Sequence, residues 1–368
     1  MFGGKIVGSL FGALFALLLV PGGVVLLFWN EGRAVKTAQS LKEGQAAVVA
    51  ASADTVDAGN DHKLVHVTGA ALTGEELGDP MFKVSAKALR LKREVSMYQW
   101  KESKHKDGQN DTTYTYDKTW DTSLIDSSSF QQPNGHTNPS RMLADSFTTT
   151  AQNATFGVFK LPVQVIAKMP GDVALPLDGA MPAPVVQPGR KAQLYNDAFY
   201  FGANPGSPEV GDHMVRFTVL NTGTFSIVAM QTGDTFAPYP THAGRDLLLV
   251  EQGDVDAAAM FQHAETNNKI LTWVLRAAGL LLLNFGFMMF TLPARALVDF
   301  IPILGGIVDF GFAVASFLLS LIITAVTVAI AWLTYRPLIG GALLAVAAIC
   351  VILLVMHLRG RKAVARTA

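Results

Sequence analysis

Trp29-Asn30-Glu31-Gly32-Arg33 decides how this chain is read. Before it, Ile6 to Trp29 is an apolar run without a single charge; after it, polar and charged residues recur until about residue 270. A run of that length spans the roughly 30 Å hydrocarbon core of a bilayer as one helix. A secretory signal peptide has a shorter apolar core and a small-residue cleavage site. Residues 1–29 therefore read as a signal anchor that stays in the membrane. Composition points the same way: 50% of residues are hydrophobic and 16% are charged, against about 25% charged in soluble domains. The formal net charge is zero, so no global field argues for nucleic acid as a partner. The single cysteine, Cys350, excludes an intrachain disulfide and a thiolate zinc site.

Within the anchor, Gly4, Gly8 and Gly12 recur every fourth residue. Small faces of this kind let two helix backbones approach closely, so they are the candidate helix-packing and oligomer contact. Beyond Trp29 the helical pattern continues through Ala34, Ala38 and Leu41, with Gly44 as the expected C-cap.

The period then changes, and residues 30–269 read as a β-rich α+β extracytoplasmic domain. Ala46–Ala50 and Lys63–Gly69 are expected strands, joined by the turn-rich Asp57-Ala58-Gly59-Asn60-Asp61. Leu89, Leu91, Val95 and Met97 alternate with Arg90, Lys92, Glu94 and Ser96, the pattern of a half-buried strand. Tyr114, Tyr116 and Trp120 share a face. Asp212–Leu220 and Phe225–Gln231, separated by Asn221-Thr222-Gly223-Thr224, predict a hairpin. Pro170–Pro188 reads as a loop.

Ala257–Lys269 is helical in pattern and runs into a second span, Ile270–Leu292. Residues 295–310, broken by Pro302, Gly305 and Gly306, read as an interfacial turn. Phe312–Leu333 and Leu338–Met356 are the expected third and fourth spans, so residues 270–357 form a three-helix membrane region. Residues 358–368 are a basic tail with Arg359, Arg361, Lys362 and Arg366. Counting basic residues places both termini in the cytoplasm and residues 30–270 on the far side, with Arg336 the one cation against the rule.

Chemistry-bearing patterns are sparse. His62 and His66, four apart in a strand, lie about 13 Å apart and cannot share a metal. Ser127, Ser128 and Ser129 with Asp126 and His136 contain the residue types of a hydrolytic triad, but these types are common in loops. Lys101, Lys104, His105 and Lys106 are interrupted by Glu102 and Asp107 and read as a solvated loop. Asn110 and Asn153 are glycosylation acceptors in form. No catalytic, cofactor-binding or metal-binding residue is expected. Membrane-boundary polar groups are more informative, because ionisable residues in lipid are costly and usually paired. These are Asn30, Glu31, Arg33, Arg276, Asp299 and Asp309. Depth counting sets Arg276 level with Glu31 and sets Asp299 beside Arg295.

Taken together, the Leu26–Val35 stretch, Lys63–Val67, Asp79-Pro80-Met81-Phe82, Met97–Glu102, Ile125–Phe130, Gly135–Pro139, Gly211-Asp212 and Asp299–Pro302 resemble the transmembrane protein 43 (LUMA) family. The resemblance covers nearly the whole chain in order. It implies an intracellular-membrane protein with a lumenal domain, proposed to organise complexes. Animal members are placed at the endoplasmic reticulum and inner nuclear membrane and are linked to lamins and emerin. The short alanine-rich segments have a bacterial look, for which the equivalent compartment is the plasma membrane facing the periplasm. The function expected is a non-enzymatic scaffold that self-associates as a homo-oligomer, contacts membrane lipid and organises other membrane proteins. The alternative is a membrane-embedded enzyme or lipid-handling protein whose polar groups sit at the membrane boundary.

Overall fold

A computed structural model describes residues 2–106, 112–178, 192–298, 302–338 and 341. Its chain divides into two compact units: the long helices with residues 240–246, and the β domain of residues 47–239 and 247–260.

Taking the helical unit first, α1 runs from Phe2 to Ala47 without interruption. It passes Gly44, the expected cap, because a glycine costs an internal turn only about 1 kcal/mol. Pro21 also lies inside it, a residue tolerated in membrane helices where neighbouring groups take up the freed carbonyl. The other long helices are α3 (Ala257–Phe290) and α5 (Pro302–Tyr335), with the short α4 (Leu292–Val298) between them. Most of the stretch expected to turn at 295–310 is therefore helical where described. Pro302 sits at the first position of α5, where its missing N–H has no intrahelical partner to lose. Three helices are long and apolar enough to cross a membrane, over Gly12–Ala47, Ala257–Arg295 and Val308–Tyr335. The expected fourth span, apart from Leu338 and Gly341, and the basic tail lie outside the described residues. So do Asn110, Cys350, Asp299 and the surroundings of Gly4 and Gly8.

In chain order the β domain contains β1 (Val49–Ala50), β2 (Leu64–Leu72), β3 (Glu76–Asp79), β4 (Val84–Lys87), β5 (Arg90–Lys106), β6 (Thr112–Asp121) and β7 (Phe147–Thr150). Next come β8 (Ala154–Phe156), β9 (Phe159–Leu161), α2 (Val163–Ile166), β10 (Val173–Ala174), β11 (Gln193–Tyr195) and β12 (Ala198–Phe201). The last four are β13 (His213–Leu220), β14 (Gly223–Thr232), β15 (Thr235–Ala237) and β16 (Leu249–Gln252). One sheet runs β15-β14-β2-β8-β9, with β1 on β2 and β16 on β14; the other runs β11-β12-β13-β5-β6, with β10 on β13 and β7 on β5. Val65, Val67, Phe225 and Ile227 of the first sheet share one buried core with Leu91, Val95, Val215 and Phe217 of the second.

The expected hairpin across Asn221-Thr222 does not form. β13 pairs with β5 (Val215 opposite Val95) and with β12. β14 pairs with β2 (Ile227 opposite Val67) and with β16. Both strands are buried along most of their length. Each fills both edges with strands other than the expected partner, β14 also pairing with the adjacent β15, and the two face each other as layers. The expected first strand is also shorter, and β1 lies parallel to β2 rather than in a hairpin with it.

β5 alternates as expected, but Arg90 and Ser96 of its polar face are buried while Glu94 stays exposed. Arg93 lies on the apolar face, buried, with its guanidinium 2.5 Å from Asp79 and over the Phe82 ring. Arg90 on the opposite face is also buried and donates to the Ile166 and Met169 carbonyls at 2.7 and 2.9 Å. Asp79 also shapes its own turn, because its Oδ1 accepts from the Met81 and Phe82 amides. That sets the connection between β3 and β4 and delivers Phe82, fully buried, against Phe199, Phe201 and Phe217.

Candidate functional site

The glycines of the helical unit set how closely its helices approach. A Cβ placed on Gly279 would lie 2.6 Å from Leu27, one on Gly23 2.9 Å from Leu283, and one on Gly286 2.7 Å from Val20. Gly12 continues the series, with Leu292 2.8 Å from the same hypothetical atom. α1 and α3 therefore run antiparallel with backbones in close contact, the packing that small residues permit in lipid. Gly12 meets a neighbour in its own chain.

That register brings Glu31 level with Arg276. Arg276 donates from Nε to Glu31 Oε1 at 2.6 Å and from Nη2 to Oε2 at 2.9 Å. From α5, Trp332 donates its indole N–H to the same Oε2 at 2.8 Å. One carboxylate thus joins three helices. Its side chain is 3% exposed and that of Arg276 is 19% exposed. The Arg276 guanidinium also sits 4.7 Å from the centre of the Trp273 ring. A buried ion pair is tolerable only when well aligned and with its remaining bonding capacity filled, and here both oxygens are occupied.

A second polar layer, centred on Arg33, surrounds this clamp. Asn30, fully buried, donates to the Thr272 carbonyl at 3.0 Å. Arg33 reaches Asn30 Oδ1, Asn268 Oδ1 at 2.9 Å and Thr272 Oγ1 at 3.0 Å. Gly32 leaves room for the Tyr335 ring, which a Cβ would meet at 2.6 Å. Farther along α1, Ser40 and Thr241 share a 2.6 Å hydrogen bond, and His242 lies 2.8 Å from Glu43. The structure thus brings Asn30, Glu31, Arg33 and Arg276 together and places Asp309 elsewhere, 3.5 Å from Arg295. Sequence reasoning missed Trp332, Asn268 and Thr272. Trp332 alone carried a signal, as an amphipathic aromatic near the end of an apolar run.

The β-domain patterns hold no comparable chemistry. His136 donates from Nδ1 to the Gln132 carbonyl and stacks on Tyr116 at 3.8 Å, while Ser128 is bonded to Asp126. Asn138 mimics a strand edge, accepting from the Trp100 amide at 2.7 Å and donating to its carbonyl at 2.9 Å. His66 meets the Val255 carbonyl and His62 meets Asp61, so the two do not converge. No group of three or more His, Cys, Asp or Glu among the described residues is placed to hold a metal.

The sequence profile described as Transmembrane protein 43 matches residues 97–337. Transmembrane protein 43 of Mus musculus is 36% identical over 349 residues, covering 90% of this chain and 85% of the mouse protein. The Homo sapiens protein gives the same identity and coverage. The Transmembrane protein 43 homolog of Drosophila melanogaster is 31% identical over 348 residues, covering 90% of this chain and 91% of its own. No solved structure matches.

Proposed function

This chain belongs to the transmembrane protein 43 family, and from that premise we propose that it is a non-enzymatic membrane scaffold. In this reading it self-associates and organises protein complexes through its β domain. The observation that carries the reading is the engagement of both Glu31 oxygens within the helical unit. They are bound by Arg276 and Trp332, which suits a structural clamp between helices. A general acid or base needs a carboxylate with an oxygen within reach of a substrate proton.

The β domain supplies a surface suited to partners. Beyond Met97, β5 leaves β13; Gly211 and Asp212 still bond Tyr98 and Asn138 caps Trp100, and past Trp100 the β5–β6 ribbon extends beyond its sheet, pairing as a strand only with β6 among the described residues. Extended edges of this kind recruit segments by strand addition. We place residues 30–269 on the non-cytoplasmic side and assign the protein to an intracellular membrane. The relatives above are animal proteins, and nothing in them supports the bacterial plasma-membrane alternative. The first described glycine of the anchor, Gly12, packs on Leu292, so the scaffold reading now rests its self-association on the β domain.

Light scattering of the detergent-extracted full chain at micromolar concentration tests this. A multiple of the 39.4 kDa chain mass is expected, shifting toward the single-chain mass when the ribbon is altered by Thr115→Pro. A strict monomer in the unaltered protein overturns the reading.

A further inference from the structure

β6 ends its sheet, and one of its two edges has no partner strand among the described residues. The peptide groups on that edge belong to its even-numbered residues. On β5, Tyr98 turns its peptide away from β6, donating to the Asp212 carbonyl at 2.8 Å and accepting from the Gly211 amide at 2.9 Å. Residues directly opposite in an antiparallel ladder either bond each other or both bond outward, and Tyr98 stands opposite Trp120. By the same alternation Tyr114, Tyr116 and Lys118 present N–H and C=O to the open edge. No main-chain hydrogen bond among the described residues reaches these three groups.

Native sheets blunt long edges with proline, bulges or charge. β6 has no proline, and its register with β5 is unbroken from Thr112 to Asp121. Between Thr112 and Trp120 its charges are Asp117 and Lys118. Thr112, Thr113, Thr115, Asp117 and Lys118 are exposed. Laid antiparallel on a second copy of itself, the strand selects one register. A two-fold axis at Asp117 or Lys118 would set like charges directly opposite, which is destabilising. An axis at Tyr114 or Thr115 would leave Thr119 and Trp120 opposite nothing in the other β6. An axis at Tyr116 pairs all of 112–120 and sets the outward-bonding residues opposite one another. It places Tyr114 opposite Lys118 of the second copy and Thr115 opposite Asp117 of the second copy, each twice by symmetry. The Thr115 hydroxyl then donates to a carboxylate. Within one chain this face already sets lysine on aromatic rings, Lys118 over Trp100 at 4.8 Å and Lys104 over Tyr114 at 5.6 Å.

We infer that β6 pairs with β6 of a second copy about a two-fold axis beside Tyr116, joining two sheets into one. The inference rests on the self-association read above and names its contact. Such an interface is isologous, so the same residues serve both copies. Main-chain hydrogen bonds at 114, 116 and 118 supply the attraction, and the facing side chains fix the register.

Disulfide trapping of the detergent-extracted full chain, with Cys350 replaced by serine, tests this. Two single variants at exposed positions, Thr115→Cys and Asp117→Cys, are co-expressed with different tags and oxidised. In this register the two positions form a non-hydrogen-bonded pair with Cα atoms about 4.5 Å apart, within reach of a disulfide. Each lies about 7–8 Å from its own counterpart, beyond that reach. The mixed dimer is therefore expected to exceed either like dimer about tenfold. Hydrogen exchange reads the same contact without substitution: the Tyr114, Tyr116 and Lys118 amides should exchange about tenfold more slowly in the assembled protein than in the single chain. A multimer that lacks both signals leaves self-association standing and overturns the β6 contact. A strict monomer by light scattering overturns self-association itself, and this contact with it. Slow exchange at the three amides in a single-chain species would mean that another segment covers the edge, and the second-copy assignment falls.

Discussion

Arg276 and Glu31 meet through two hydrogen bonds of 2.6 and 2.9 Å although 245 positions separate them in the chain. Removing one partner strands a buried charge, at a typical cost of roughly 3–5 kcal/mol. Glu31→Gln and Arg276→Met are each expected to lower stability by amounts in that range, with the double variant losing clearly less than the sum. Detergent melts of the four proteins in a double-mutant cycle measure the coupling. Strict additivity would show that the pair contributes nothing. Trp332→Phe, which keeps the ring but drops the N–H bonded to Glu31, is expected to cost about 2 kcal/mol.

The glycine contacts between α1 and α3 make a graded prediction. At Gly279 a methyl group would sit 2.6 Å from Leu27, so Gly279→Ala has to push the helices apart and should cost about 1–3 kcal/mol. Gly311→Ala on α5 meets nothing within 4 Å and should be neutral or slightly stabilising. Similar melting temperatures for the two variants would mean that the helices are not held at this distance.

In the β domain the buried Arg90 and the partly exposed Lys92 both bind Asp172. Burial alone would raise the Asp172 carboxyl, but the hydrogen bonds and charges of Lys92 and Arg90 outweigh it and hold it below the ordinary carboxylate range. A depressed carboxyl stabilises the fold above its unfolded pKa and loses that contribution as pH falls through the folded value. Asp172→Asn should therefore cost about 2 kcal/mol at neutral pH. The gap from the unaltered protein should close as pH drops below about 4. Denaturant titrations of the two proteins across pH 2–7 measure this gap; a gap independent of pH would rule out the ion pair as its source.

Asn138 carries both halves of a strand-edge contact with Trp100. Asn138→Ala leaves the Trp100 N–H and C=O without those partners, an expected loss of about 1–3 kcal/mol. Faster hydrogen exchange at the Trp100 amide should accompany it. Unchanged exchange there would show that water replaces the side chain at no cost.

Topology is checked by impermeant thiol labelling in sealed microsomes, in a background where Cys350 is replaced by serine. A cysteine at Lys104, exposed on β5, should be protected, and one at Ala365 labelled. The reverse pattern inverts the orientation given by the basic tail.

Span existence and strand alternation were legible because each is a local property. A charge-free run from Ile6 to Trp29 partitions into lipid whatever the rest of the chain does, and alternation at 89–97 marks a pleated surface by itself. Depth counting also set Glu31 level with Arg276, since both lie at ends of apolar runs. Tertiary structure decided the rest. Asn221-Thr222-Gly223-Thr224 carries hairpin chemistry, yet β13 and β14 join different sheets, because a turn signal does not encode which distant edges are vacant. Arg93 interrupts the apolar face of β5, and it is Asp79 and Phe82 that make its burial possible. Gly12 reads as a helix-packing or oligomer contact, and the neighbour against it is Leu292 of its own chain. In each case the deciding partner is far away in sequence. Local composition sets what a residue can bury or pair with, and only the packed chain supplies the neighbour.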